Sequence, residues 1–124
     1  MTRRRARRDR GQVAVEYLGF LPLLLLIGLV GVQLGIVAYA AQQAGTGARA
    51  AARADSVDDP GSVPGGETAG RAAMSDWIAG HSSFDPAGSG SWSVTVDIPS
   101  LIPFLDMPSV TRSATMPVPE EDQP

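Results

Sequence analysis

Glu16 is an acidic residue placed where an acidic residue is expensive. It stands near the start of a long apolar run, and from Tyr17 to Ala48 the chain carries no formal charge. A carboxylate in bilayer hydrocarbon costs about 2.5–3.5 kcal/mol at the centre of a spanning helix and less toward its ends. Such a group calls for a partner, and the chemistry on offer is an ion pair in low dielectric. The candidate partner is the α-amino group that a cut between Gly11 and Gln12 would release. Other reactive combinations are missing. His81 is the sole histidine, in a Gly- and Ser-rich stretch with no carboxylate, lysine or cysteine at motif spacing. There is no phosphate-cradling glycine loop, zinc spacing or nucleophile elbow. Asp55, Asp58 and Asp59 lack the ligand ladder of a calcium loop. The chain is expected not to be an enzyme and to take no metal or cofactor.

The element that must position Glu16 is the apolar segment from Gln12 to Val37. About 20 apolar residues at 1.5 Å rise cover a hydrocarbon core of about 30 Å, so residues 12–37 suffice for a transmembrane helix. All ten basic residues are arginine, and six lie before Gly11. With Asp9 they give residues 1–11 a net charge of +5, leaving −8 for the rest of a chain whose total is −3. A basic head beside an apolar span keeps its own side cytoplasmic and sends the remainder across. The same arginines could serve as a nucleic-acid-binding arm, but the adjoining span argues for orientation, and no nucleic acid is expected as a partner. Inside the span, Gly28, Gly31 and Gly35 bring small residues to one side, with Gly31 and Gly35 in the GxxxG spacing that lets helices approach closely in lipid. Pro22 removes a backbone donor and is expected to kink or loosen the helix. Gln33 is a neutral polar group able to bond a neighbouring helix or to sit near the outer interface. Beyond Val37 the Ala-rich stretch to Ala54 continues the helix as a stalk over residues 38–54, interrupted in propensity only by Gly45 and Gly47.

Arg10-Gly11-Gln12-Val13-Ala14-Val15-Glu16-Tyr17 resembles the processing region of a type IV pilin-like precursor: a basic leader, Gly before the cut, glutamate fifth in the mature chain, then an aromatic. Leu21-Pro22-Leu23-Leu24-Leu25-Leu26 and Gly45-Thr46-Gly47-Ala48-Arg49-Ala50-Ala51 narrow the resemblance to TadE-like pilus assembly proteins, minor pseudopilins of the tight-adherence (Flp) pilus system. The resemblance covers roughly residues 8–54. It implies processing by a prepilin peptidase at Gly11–Gln12, assembly through Glu16 and Tyr17, and helix packing through Gly28, Gly31 and Gly35. The partners it implies are the peptidase, other pilins and pseudopilins, and the pilus assembly platform in the membrane. It also implies a single-pass protein of the cytoplasmic membrane with its C-terminus outside, open to incorporation in a surface pilus. Two departures stand out: Gln33 replaces an acidic residue common in the family, and the tail has no cysteine pair. Two rival readings remain. Ala38-Tyr39-Ala40 is a small-x-small site for a conventional signal peptidase, although the apolar run exceeds the 7–15 residues of a cleaved signal. An uncut chain would be a permanent anchor carrying an envelope-binding domain.

The tail has the composition of a small head. Residues 55–66 read as a loop, and Thr68–Ala79 reads as a short helix with Ala69, Ala73, Met74, Trp77 and Ile78 on one packing stripe. Ser91–Ile98 alternates, with Trp92, Val94, Val96 and Ile98 facing one way, and Val110–Val118 alternates again. Between them lie Pro99, Pro103 and Pro108, with Leu101, Ile102, Phe104 and Leu105 expected to cover the sheet. Residues 119–124 form an acidic tail. The expectation is an α+β protein: a long transmembrane and stalk helix, then an exported head over residues 67–118 with a short helix and an antiparallel two-stranded ribbon.

Overall fold

The computed structural model describes the backbone of residues 5–57 and 65–117, with side chains from Arg10 onward. Part of the basic leader, Asp58, Asp59, Val118 and the acidic tail lie outside the described residues. A single helix, α1 (Arg5–Asp55), is followed by α2 (Gly66–Ala72), α3 (Asp76–Gly80), β1 (Ser82–Gly88), β2 (Ser91–Val96) and β3 (Val110–Thr115). The long helix is favoured by Ala and Leu, its two commonest residues, which lose little on entering a helix, and it runs unbroken through Pro22, Gly45 and Gly47.

The two halves of α1 live in different surroundings. From Val13 to Val32 the large apolar side chains face outward, among them Tyr17, Phe20, Leu21, Leu25 and Ile27. From Gln33 onward one face is covered. Ala40, Ala44, Ala48 and Ala51 recur at helical spacing and are wholly buried, forming a seam of methyl groups under the sheet. Met74, Ile78, Phe84, Val94, Val96 and Ile98 complete this core. Alanine supplies little area of its own, but it lets backbone approach backbone, so the larger residues opposite are buried against the helix.

The sheet is an antiparallel meander in the order β1-β2-β3. Its register sets Phe84 beside Val94 and Ser82 beside Val96 on one side, and Trp92 beside Ala114 and Val96 beside Val110 on the other. Residues at alternate positions face α1. The opposite face carries hydroxyl pairs across β2 and β3: Ser91–Thr115 at 3.0 Å, Ser93–Ser113 at 3.1 Å and Thr95–Thr111 at 3.0 Å. This is the half-buried pattern expected from the alternation.

Three features depart from the sequence expectation. The sheet has a third strand, β1, in a segment whose alternation is hidden by Pro86 and by having Phe84 as its one buried large side chain. Proline is tolerated there because β1 is an edge strand, and the register shifts between Pro86 and Gly88. The short helix is two helices, divided at Ala73–Ser75, where the Ser75 N–H donates to Gln43 Oε1 at 3.0 Å instead of continuing the helix. Met74 and Ile78 pack in the core as their stripe predicts, but Trp77 is half-exposed and tilts over His81 with ring centroids 5.4 Å apart. Finally, Leu101, Phe104 and Leu105 do not cover the sheet: all three are exposed, because their loop is held at the end of the sheet and not on its face.

Candidate functional site

The expected assembly residues all lie on the uncovered half of α1. Gly11, Gln12, Glu16 and Tyr17 are exposed. Glu16 lines an open hollow on the helix surface with Val13, Tyr17, Phe20 and Leu24. Among the described residues no hydrogen bond or ion pair engages it; the salt bridge there is Arg71–Glu67, 3.0 Å long and far along the chain. The carboxylate that is costly to leave unpaired in lipid therefore has no partner within its own described fold.

The glycines divide in the same way. A methyl group added at Gly28, Gly31 or Gly35 would meet nothing within 4 Å. These three positions fall within about 60° of one another around the helix at 100° per residue. A glycine inside a helix costs up to about 1 kcal/mol relative to alanine in water, and no packing among the described residues repays it at these positions. Gly47, Gly66 and Gly70 differ. A β-carbon at Gly66 would fall 2.6 Å from the Trp92 indole, one at Gly70 would fall 2.9 Å from the Gly47 carbonyl and into Phe84, and one at Gly47 would strike Met74. Gly47 and Gly70 thus mark the close crossing of α1 and α2.

The head is fastened to α1 at both ends of the sheet. Near the uncovered half, the Gln33 side chain is 2% exposed; its Nε2 donates to Pro99 O at 3.2 Å, and its Oε1 accepts from Leu101 N at 2.8 Å. At the far end, Asp55 Oδ2 accepts from Gly90 N at 3.1 Å. Gly90 has φ of 68°, a left-handed turn position that glycine occupies without strain. Arg71 ties the small helices to β1, donating from Nη1 to Ala79 O at 2.6 Å and from Nη2 to Ser82 O at 3.2 Å, with its guanidinium 5.1 Å from the Phe84 ring centroid. Gln33 is therefore turned into its own fold: one amide N–H and the amide oxygen bond the head, and the side chain is buried. The Gln33 and Asp55 contacts had no local signal, because each partner lies far away in sequence.

An open hollow of about 540 Å³ lies between α1 and β3, lined by Ala38, Ala41, Gln42, Gly45, Arg49, Arg112 and Ser113. It holds two cations and no carboxylate, and no group of metal-ligating residues occurs among the described residues. His81 is exposed, and its Nδ1 lies 2.8 Å from the carbonyl oxygen of Trp77.

Residues 11–53 match the family model described as TadE-like protein. The match covers Gly11 to Arg53, nearly the whole of α1 beyond the leader, and stops before the small helices and the sheet. The long helix of this chain is thus TadE-like, and it is long and apolar enough to cross a membrane. No curated protein and no solved structure matches the chain.

Proposed function

We propose that this chain is a non-enzymatic, minor pilin-like subunit for assembly of a tight-adherence type IV pilus, made as a precursor and clipped by a prepilin peptidase after Gly11. The observation that carries this reading is Glu16: an acidic side chain without a described partner, on the uncovered half of a helix whose residues 11–53 are TadE-like. Clipping would remove the +5 head and unmask a positive amine at Gln12. In a bundle of such helices, Glu16 of one subunit would pair with that amine on its neighbour. Desolvation offsets most of the net gain from such a pair, whereas leaving Glu16 unpaired would be penalised, so the contact selects register more than it adds stability. Gly28, Gly31 and Gly35, which nothing among the described residues requires to be small, would give neighbouring helices a close-approach face. The subunit would sit once across the cytoplasmic membrane, with the arginine head inside and the sheet outside, in reach of the peptidase, other pilins and the assembly platform.

The rival cut after Ala40 fits the fold poorly. It would remove Gln33, Ile36, Val37 and the wholly buried Ala40, all of which pack within the head. The test is the first residue of the membrane-extracted protein, by intact mass. A start at Gln12 supports prepilin processing; a start at Ala41, or an uncut Met1, would sink it.

A further inference from the structure

We propose that the loop from Pro99 to Ser109 is a second membrane contact, whose Leu101, Phe104 and Leu105 enter the interfacial zone of the outer leaflet beside α1. The proposal rests on the reading that α1 spans the bilayer with the sheet outside.

Direction comes first. The β1–β2 turn is tied to Asp55 at the far end of α1, while the chain after β2 is tied to Gln33. Strand β2 therefore runs back down the helix toward its uncovered half, and β3 returns. The loop between them is the end of the head that faces the apolar stretch.

Depth follows from counting. The helix is uncovered from Gln12 to Val32, about 30 Å at 1.5 Å per residue, which equals the thickness of the hydrocarbon core. With Gln12 at the inner boundary, Gln33 stands at the outer one. The Gln33 amide holds Pro99 and Leu101 at that level.

The loop's own chemistry fits an interface. Ile102-Pro103-Phe104-Leu105 is a tight turn closed by Leu105 N donating to Ile102 O at 3.3 Å. Phe104 has φ of 66°, the left-handed conformation that the third residue of a type II turn requires and that glycine or asparagine normally fills. Here the position holds a fully exposed aromatic ring, flanked by Leu101 and Leu105 at 43% and 48% exposure. Nothing in the folding of the turn calls for that ring, and in water it would be wasted apolar surface. Asp97 and Asp106 bracket the tip and are exposed, which limits entry to the tip and keeps the rest among headgroups.

The chain contains no cysteine, so single-cysteine labels can be placed at will. Leu24→Cys, Phe104→Cys, Leu105→Cys and Ser113→Cys variants of the full chain would carry an environment-sensitive fluorophore, at one copy per phosphatidylcholine nanodisc containing spin-labelled lipids. The expected result is that labels at 104 and 105 are quenched at least twofold by lipids carrying the spin near the headgroup, label 24 by lipids carrying it deep in the chain, and label 113 by neither. Labels 104 and 105 as unquenched as 113, with 24 still quenched, would overturn the loop contact alone. An unquenched label 24 would remove the span and the loop contact together. Shielding of 104 that needs several copies per disc and brings no lipid quenching would assign the loop to a second copy and overturn the proposal.

Discussion

Gln33 and Asp55 hold opposite ends of one strand from a single helix. They lie about 33 Å apart along the axis of α1 at 1.5 Å per residue, and the stretch they clamp, from Gly90 to Pro99, reaches about 30 Å when extended. Helix rise and strand rise are thus matched over the length of the head. The helix acts as the spine against which the sheet is measured, and both clamps are side-chain-to-backbone bonds that leave the strand's own ladder intact.

Gln33→Leu keeps the side chain's bulk but leaves Pro99 O and Leu101 N without partners. Orphaned, partly buried polar groups cost about 1–3 kcal/mol. Thermal unfolding of the detergent-solubilised protein, followed by near-ultraviolet dichroism, should show a midpoint lowered by several degrees. An unchanged midpoint would mean that water replaces the amide at no cost.

Asp55→Ala releases Gly90 N at the other end. The bond is partly exposed, so the loss should be smaller, about 0.5–1.5 kcal/mol, and confined to the β1–β2 turn. Amide exchange at Gly90 and Met116, whose N–H donates to Gly90 O at 2.8 Å, should quicken while exchange in the Ala40–Ala51 seam does not.

Gly70→Ala and Gly31→Ala separate the two kinds of glycine. The first forces a methyl group toward Phe84 and the Gly47 carbonyl, and overpacking of this kind costs about 1–3 kcal/mol. The second meets open space and should leave the unfolding of the head unchanged. If Gly31→Leu likewise leaves the head intact yet abolishes incorporation into filaments, the face is used between chains; normal filaments would remove that role.

Glu16→Ala should insert in the membrane, be clipped and unfold at the wild-type midpoint, because the side chain has no described contact in the fold. Pilus yield, read by shear fractionation and electron microscopy, should fall to background. Wild-type yield from this variant would end the pairing scheme.

The parts of the fold that could be read in advance are those with a local period. Apolar length and alanine content give α1, and the alternation of Trp92, Val94, Val96 and Ile98 gives β2. Strand β1 escaped because an edge strand with one buried large residue and a proline has little pattern to display. The division at Ala73–Ser75 depends on Gln43, a residue of another element. The apolar run of Leu101, Ile102, Phe104 and Leu105 suggests a cover for the sheet, but the contacts of Gln33 with Pro99 and Leu101 hold that loop at the end of the sheet and leave Phe104 exposed. Of the site, Glu16 was visible as a charge in an uncharged run, whereas Gln33 looked like a membrane amide because its partners arrive only through the fold.

Because one unbroken helix joins the apolar stretch to Asp55, the head is geared to the segment proposed to span the membrane. Each residue by which α1 is shifted in its seat turns the sheet through 100° and lifts it 1.5 Å. A one-residue error in where Glu16 finds its counter-charge would therefore point the hydroxyl-lined outer face of the sheet in a different compass direction. In the proposed assembly the azimuth of the sheet would be set by the pairing of Glu16, without a hinge between them.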